Sequence, residues 1–236
     1  MRHIAPRDGR APDVCSLCAG ADPAQVTTLS SLLAPGQSRF VAATPNIVAV
    51  PTYGCFVRGY LLVVPRAHVL AFGQLGSEVL AEAQRLIDEL AARLEAVYGL
   101  PVLGFEYGLA HAGIRRVEHA HWHLLPTPAD LAGWLDERLP GQTLTSLFNL
   151  PGASYIAVRN RHAGLRIYPV GEDATEAHHI HQRIRLRRTV AALDPRVQRD
   201  AWDWAEHRCA ELIRGTVADL RASDSSRGPG QRSRPS

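Results

Sequence analysis

The sequence predicts an α+β fold: an antiparallel sheet with one long helix, followed by a mixed, mainly helical extension. Three observations lead there. Runs rich in Val and Ile between residues 39 and 65 are broken by turn residues, as short strands are. A stretch from Ser77 to Tyr98 repeats its apolar residues at helical spacing, and two more strand-like runs follow it. Strands, one helix, then strands is the order of an α+β domain rather than of a doubly wound parallel sheet.

Taken in order, residues 1–14 carry no periodicity and form a flexible lead-in to Cys15-Ser16-Leu17-Cys18. Residues 39–51, with Pro45-Asn46 in the middle, read as two short strands joined by a turn, and the apolar run Gly59 to Pro65 as a buried strand. Ser77 caps the long helix; Val79, Leu80, Ala83, Leu86, Ile87, Leu90, Leu94 and Val97 form its apolar face, and Gly99-Leu100-Pro101 closes it. Strands from Val102 to Tyr107 and from Val117 to Leu125 complete a domain over residues 15–126. Beyond it come a short helix over 129–138, a hairpin with strands at 155–159 and 165–170, and helices over 175–193 and 194–222, the last with Pro195 in its first turn. Residues 127–222 are thus an extension packed on the core, and the Gly, Pro, Ser and Arg of 223–236 a disordered tail.

Composition excludes several function classes. No run of eighteen apolar residues occurs and none follows the N-terminal arginines, so neither a membrane span nor a signal peptide is expected and the expected address is cytoplasmic. Four cysteines are too few for a secreted disulfide framework. All 26 basic residues are arginine, which removes lysine Schiff-base chemistry. The net charge of +3 is mild. Arg183, Arg185, Arg187 and Arg188 crowd one segment, read here as a solvated helix face, so a nucleic-acid partner is not expected.

The most informative segment is His119-Ala120-His121-Trp122-His123. On a strand, alternate side chains share a face, so the three histidines line up while Ala120, Trp122 and Leu124 turn the other way to be buried. Same-face neighbours stand about 6.5 to 7 Å apart, which lets two imidazoles approach one phosphate. A neutral middle histidine can attack phosphorus while its neighbours donate hydrogen bonds to the non-bridging oxygens. Cys15 and Cys18 can bind one side of a tetrahedral Zn²⁺, or can be two reduced thiols in an apolar loop. Cys55 and Cys209 read as buried thiols, His178, His179 and His181 as surface residues spread around a helix, and Trp134, Trp202 and Trp204 as packing residues.

Glu118-His119-Ala120-His121-Trp122-His123-Leu124-Leu125-Pro126 resembles the motif of the histidine triad superfamily. Gly59 to His68 resembles the strand upstream of that motif, and Phe105-Glu106-Tyr107-Gly108 a segment before it in bacterial members, so Glu106 joins the candidate substrate contacts. The resemblance covers roughly residues 15 to 126. It implies the histidine triad fold, a nucleotidyl-histidine intermediate on His121, an α-phosphate held by His123, and a nucleotide-like substrate. Histidine rather than glutamine at position 123 implies hydrolysis over transfer. It also implies a structural zinc held by Cys15, Cys18, His68 and His119, and a homodimer. Four positions depart from the pattern: Tyr60 stands where members usually have a fourth histidine, Thr52 where many have a ribose-binding acid, and Arg115 and Arg116 where a Gln-Ser or Gln-Thr pair meets the phosphate. Arg187-Arg188 and Trp202-Asp203-Trp204 resemble segments that follow the triad domain in longer members. The departures keep other readings open: a repurposed lyase or transferase on a modified or non-nucleotide substrate, a non-catalytic nucleotide or nucleic-acid binder, or a metalloenzyme with all three histidines on one metal.

Overall fold

A computed structural model describes residues 15–113, 117–139, 146–147, 153–160, 164–171, 173–203, 206–207 and 209–226. Helices α1 (Ser16–Ala21) and α2 (Thr28–Ser31) precede strands β1 (Ala42–Ala43), β2 (Ile47–Pro51) and β3 (Leu61–Pro65). After a 3-10 turn at Phe72–Gln74 come α3 (Ser77–Tyr98), β4 (Val102–Gly108) and β5 (Trp122–Pro126). The chain continues through α4 (Leu131–Asp136), β6 (Tyr155–Asn160), β7 (Gly164–Pro169), α5 (Ala174–Ile184), α6 (Leu186–Leu193) and α7 (Ala210–Ser226). The seven strands form one sheet in the order β1-β2-β3-β5-β4-β6-β7, every pair antiparallel. The α+β class is as predicted. No described helix is long and apolar enough to cross a membrane.

The sheet is buried on both faces. On one, Leu61, Val63, Trp122, Leu124 and Ala157 meet Leu80, Ala83, Ile87, Leu90 and Leu94 of α3. Each leucine removed from water there contributes roughly 1.5–3 kcal/mol. Trp122 fits because Gly104, diagonally across on β4, has no side chain; a Cβ there would collide with the indole. Helix α3 stops at Gly99, whose φ of 65° lies in the left-handed region glycine adopts freely, its N–H donating to the Glu95 carbonyl. On the other face, Leu62, Phe105, Tyr107, Leu125, Ile156 and Val158 pack against residues from both chain ends, among them Leu29, Ala177, Leu186, Val190 and Val217.

Gly76 rather than Ser77 is the N-cap of α3, with no side-chain cap bond, and α7 runs on to Ser226, into the stretch read as a tail. Three further elements differ from the sequence reading, each for a local reason. Strand β5 begins at Trp122 rather than Val117, because the partner strand β3 ends at Pro65, which has no N–H to extend the ladder. The helix expected over 175–193 breaks at Arg185, where φ is 42°. No helix starts at Pro195: the buried Asp194 carboxylate accepts from Thr127 Oγ1 (2.7 Å) and from the Arg196 backbone N–H (3.0 Å), fixing a turn. Arg196 also donates to the Pro126 carbonyl at 3.0 Å, fastening that turn to the end of β5.

Candidate active site and metal cluster

β5 lies between β3 and β4, with His123 opposite Leu62 on one side and Phe105 on the other. The His123 ring stacks on Phe105, centroids 4.5 Å apart and planes 17° from parallel. Its Nδ1 is 2.9 Å from the Tyr60 hydroxyl. Complete burial pushes that hydroxyl up to about 12, and the Arg187 guanidinium, which also hydrogen-bonds it, offsets only part of the rise. Tyr60 therefore keeps its proton at neutral pH. A protonated phenol can donate its O–H to His123 Nδ1, an arrangement that leaves the imidazole proton on Nε2.

His121 has the opposite tautomer. Its Nδ1 lies 2.6 Å from the His119 carbonyl, which can only accept, so Nδ1 carries the hydrogen and Nε2 the lone pair. The rings of His121 and His123 are 4.9 Å apart at 72°. One nitrogen base and one N–H donor stand side by side.

His119 is turned away from them. Lying before the strand rather than in it, it is fully buried, donates Nε2–H to the Pro65 carbonyl (2.8 Å), and faces Cys15 Sγ (3.5 Å) and Cys18 Sγ (3.3 Å) with Nδ1. His68 Nδ1 is 3.3 Å from Cys18 Sγ. The four ligand atoms of Cys15, Cys18, His68 and His119 all lie within 4.8 Å of one another. Two thiols and two imidazole nitrogens so arranged fit a closed tetrahedral zinc site. Burial, then the neighbouring Cys15, push the Cys18 thiol up to about 11; a divalent cation would reverse this by stabilising the thiolates. Arg39 fastens the C-terminal end of α1, its guanidinium donating to the carbonyls of Ala19, Gly20 and the C-cap Asp22.

His121 and His123 open on a cleft of about 1170 Å³, also lined by Thr52 and Tyr53, by residues of α1 and α2, and by His181, Arg185, Arg187 and Arg188. The last four are what the sequence reading missed. The arginine cluster was visible, but read as a solvated face, and His181 as a surface residue. Nothing local showed that β6 and β7 carry α5 and α6 back over the histidines. Trp202, expected to be a packing residue, also lines the cleft.

The other predicted contacts divide. Thr52 lines the cleft, whereas Tyr60 and His119 are fully buried and reach it only through neighbouring histidines. Glu106 is not brought to the site. It lies on the α3 face, fully buried, accepting from the Phe72 N–H (3.0 Å) and the Tyr155 hydroxyl (2.7 Å). Arg115 and Arg116 lie outside the described residues.

Residues 36–130 match the HIT domain, a segment that begins after the cysteine pair and ends before β6. No curated protein matches the chain. Among solved structures, a Hit-like protein involved in cell-cycle regulation from Bartonella henselae is 19% identical with a TM-score of 0.34, over 38% of this chain and 66% of that one. This chain thus spans just under two thirds of that relative's length. A HIT family protein from Bacillus anthracis is 21% identical, TM-score 0.38, over 48% of this chain and 73% of that one. A zinc-bound histidine triad family protein from Mycobacterium smegmatis is 18% identical, TM-score 0.35, with the same two coverages.

Proposed function

With a HIT domain at residues 36–130 as the premise, we propose that the protein is an enzyme that breaks a nucleotidyl phosphorus bond, of phosphoramidate or dinucleoside polyphosphate type, through a covalent intermediate on His121. The observation that carries this reading is the pair of contacts made by the two Nδ1 atoms, His121 on the His119 carbonyl and His123 on the Tyr60 hydroxyl. The His119 carbonyl, which can only accept, keeps the proton of His121 on Nδ1 and leaves Nε2 nucleophilic, while Tyr60 can donate to His123 Nδ1 and so leave Nε2–H of His123 as a donor.

In the first step His121 Nε2 bonds to the α-phosphorus as the bond to the leaving group breaks, and the leaving group departs with its electron pair and takes up a proton. His123 Nε2–H donates to a non-bridging oxygen as negative charge builds there. In the second step water attacks phosphorus, the N–P bond breaks, a nucleoside monophosphate leaves and the imidazole returns to its neutral form as the water gives up a proton. Histidine rather than glutamine at position 123 supports water over another acceptor.

Cys15, Cys18, His68 and His119 would hold zinc, which when bound supplies a structural cross-link between α1 and the segment leading into β5. His119 serves both sites, its side chain in the metal cluster and its carbonyl on the nucleophile. One observation favours a second reading, a lyase or transferase on a modified substrate. Thr52 lines the cleft, and its hydroxyl cannot accept from two ribose hydroxyls at once as a carboxylate does.

The test is mass spectrometry of wild type and His121→Ala after brief incubation with adenosine and guanosine phosphoramidates and dinucleoside polyphosphates. Monophosphate and a nucleotidyl adduct are expected with wild type, with turnover down at least about a thousandfold and no adduct in the variant. Equal inertness of two folded, zinc-loaded proteins would end the hydrolase reading in favour of a repurposed site or a binding protein.

A further inference from the structure

The chemistry at His121 and His123 leaves unused a group of cations that the extension delivers to the same cleft. The Tyr107 hydroxyl donates to the Ala177 carbonyl at 2.6 Å and so latches α5 onto β4. One helical turn later, His181 stands edge-on to the Tyr107 ring, centroids 5.0 Å apart. Tyr107 is two residues along β4 from Phe105, on which His123 stacks, so this wall of the cleft runs about 7 Å along the strand from the triad.

At the end of α5 the chain turns through Arg185, whose φ of 42° is the sole positive value at a non-glycine among the described residues. This left-handed residue is the C-cap of α5, its N–H donating to the His181 carbonyl at 3.1 Å. It directs the chain into α6 so that Arg185, Arg187 and Arg188 line one side of the cleft. Arg187 is anchored by one nitrogen on the Gly54 carbonyl, yet its Nε is buried with no hydrogen-bond partner. An acceptor there would complete it. Glu118 and Asp203 line the cleft too, so recognition depends on the arginine cluster and not on overall charge. The volume of about 1170 Å³ exceeds what a single small ligand commonly fills.

We propose that Arg185, Arg187 and Arg188, with His181 beside them, form a second anion subsite that takes a further phosphate group of the substrate, beyond the phosphorus attacked by His121. The proposal rests on the enzymatic reading above and sharpens it: the leaving group is itself anionic, a pyrophosphate, a polyphosphate or a phosphorylated sugar, and not a neutral amine. Guanidinium forks suit such a group because a fork can give two parallel N–H bonds to phosphate oxygens, as those of Arg185 and Arg188 can here.

The test uses the full chain and inorganic pyrophosphate as the calorimetric probe. Wild type is compared with Arg185→Gly, Arg188→Gln and their combination; Arg183→Gln, near the end of α5 and not lining this cleft, is the control. Glycine adopts the conformation at position 185 freely, so a loss there reads the side chain and not the backbone. The combined variant is expected to bind pyrophosphate at least about tenfold more weakly, the loss appropriate to charge-assisted hydrogen bonds. Its kcat/KM ratio for a pyrophosphate-leaving over an amine-leaving nucleotide should fall by a similar factor. Unchanged pyrophosphate affinity in the combined variant, or an equal loss in Arg183→Gln, overturns the subsite. Because the titration needs no turnover, a wild type inert on both nucleotides but binding pyrophosphate through these arginines would sink the hydrolase reading and leave the subsite standing.

Discussion

The two faces of the sheet are closed in different ways. One is covered mainly by α3, a single helix whose apolar stripe follows directly from its sequence. The other is covered in pieces, by α1 and α2 from one end of the chain and by α5, α6 and α7 from the other, and the cleft lies among those pieces. Glu106 and His123 show what this means for a polar side chain. Both are buried, on adjacent strands, but Glu106 faces the closed side, where its carboxylate is satisfied internally by Phe72 and Tyr155. His123 faces the assembled side and lines the cleft. A polar residue in a sheet acquires a chemical role from the face it occupies and from what covers that face.

If the assembled face depends on the metal cluster, removing a ligand should loosen it alone, and this is the largest effect expected. Wild type should carry about one zinc per chain and Cys18→Ser almost none. Hydrogen exchange should then show lost protection in α1, with α3 and β3 still protected; uniform loss would mean that the two faces are not independent. On the closed face, Glu106→Ala leaves two buried donors without their acceptor and should cost about 2–5 kcal/mol in urea unfolding. The kcat of the molecules that remain folded should hardly change. A large fall in kcat without a fall in stability would instead place Glu106 in the chemistry.

The smallest effect concerns the turn that anchors the extension to β5. Burial acts to raise the Asp194 pKa, but hydrogen bonds from Arg196 and Thr127 and the Arg196 charge outweigh it and hold the group below the usual carboxylate range. A carboxyl with a depressed folded pKa contributes stability above its unfolded pKa, and loses that contribution as pH falls through the folded value. Asp194→Asn should therefore be less stable than wild type at neutral pH, with the difference shrinking below about pH 4. A gap that stays constant down to pH 2 would show that the carboxylate's charge is immaterial.

Much of this architecture was legible in residue order. The helix over 77–98, its stop at Gly99 and the hairpin around 155–170 are local patterns, each stated by its own periodicity or turn chemistry. The zinc ligand set implied by the resemblance comes together as a compact cluster. What escaped was relational. Alternation puts His119, His121 and His123 on one side of an ideal strand, but it cannot tell that Pro65 ends the partner ladder and that His119 faces the cysteines instead. Helical spacing spreads His178, His179 and His181 around an axis, but only the Tyr107 latch decides that His181 meets the cleft. Asp194-Pro195 resembles a helix start, until Thr127 and Arg196 claim the carboxylate.

The hydrogen bond that sets the His121 tautomer ends on a main-chain carbonyl. Every amino acid carries that oxygen, so replacing the His119 side chain does not delete the acceptor. Substitutions at position 119 can shift the His121 ring through the cluster of Cys15, Cys18, His68 and His119, yet none subtracts the oxygen that accepts its hydrogen bond. In a mutational scan, then, tolerance at position 119 should follow how well the backbone is held in place, whereas at position 121 it should follow the chemical identity of the side chain itself.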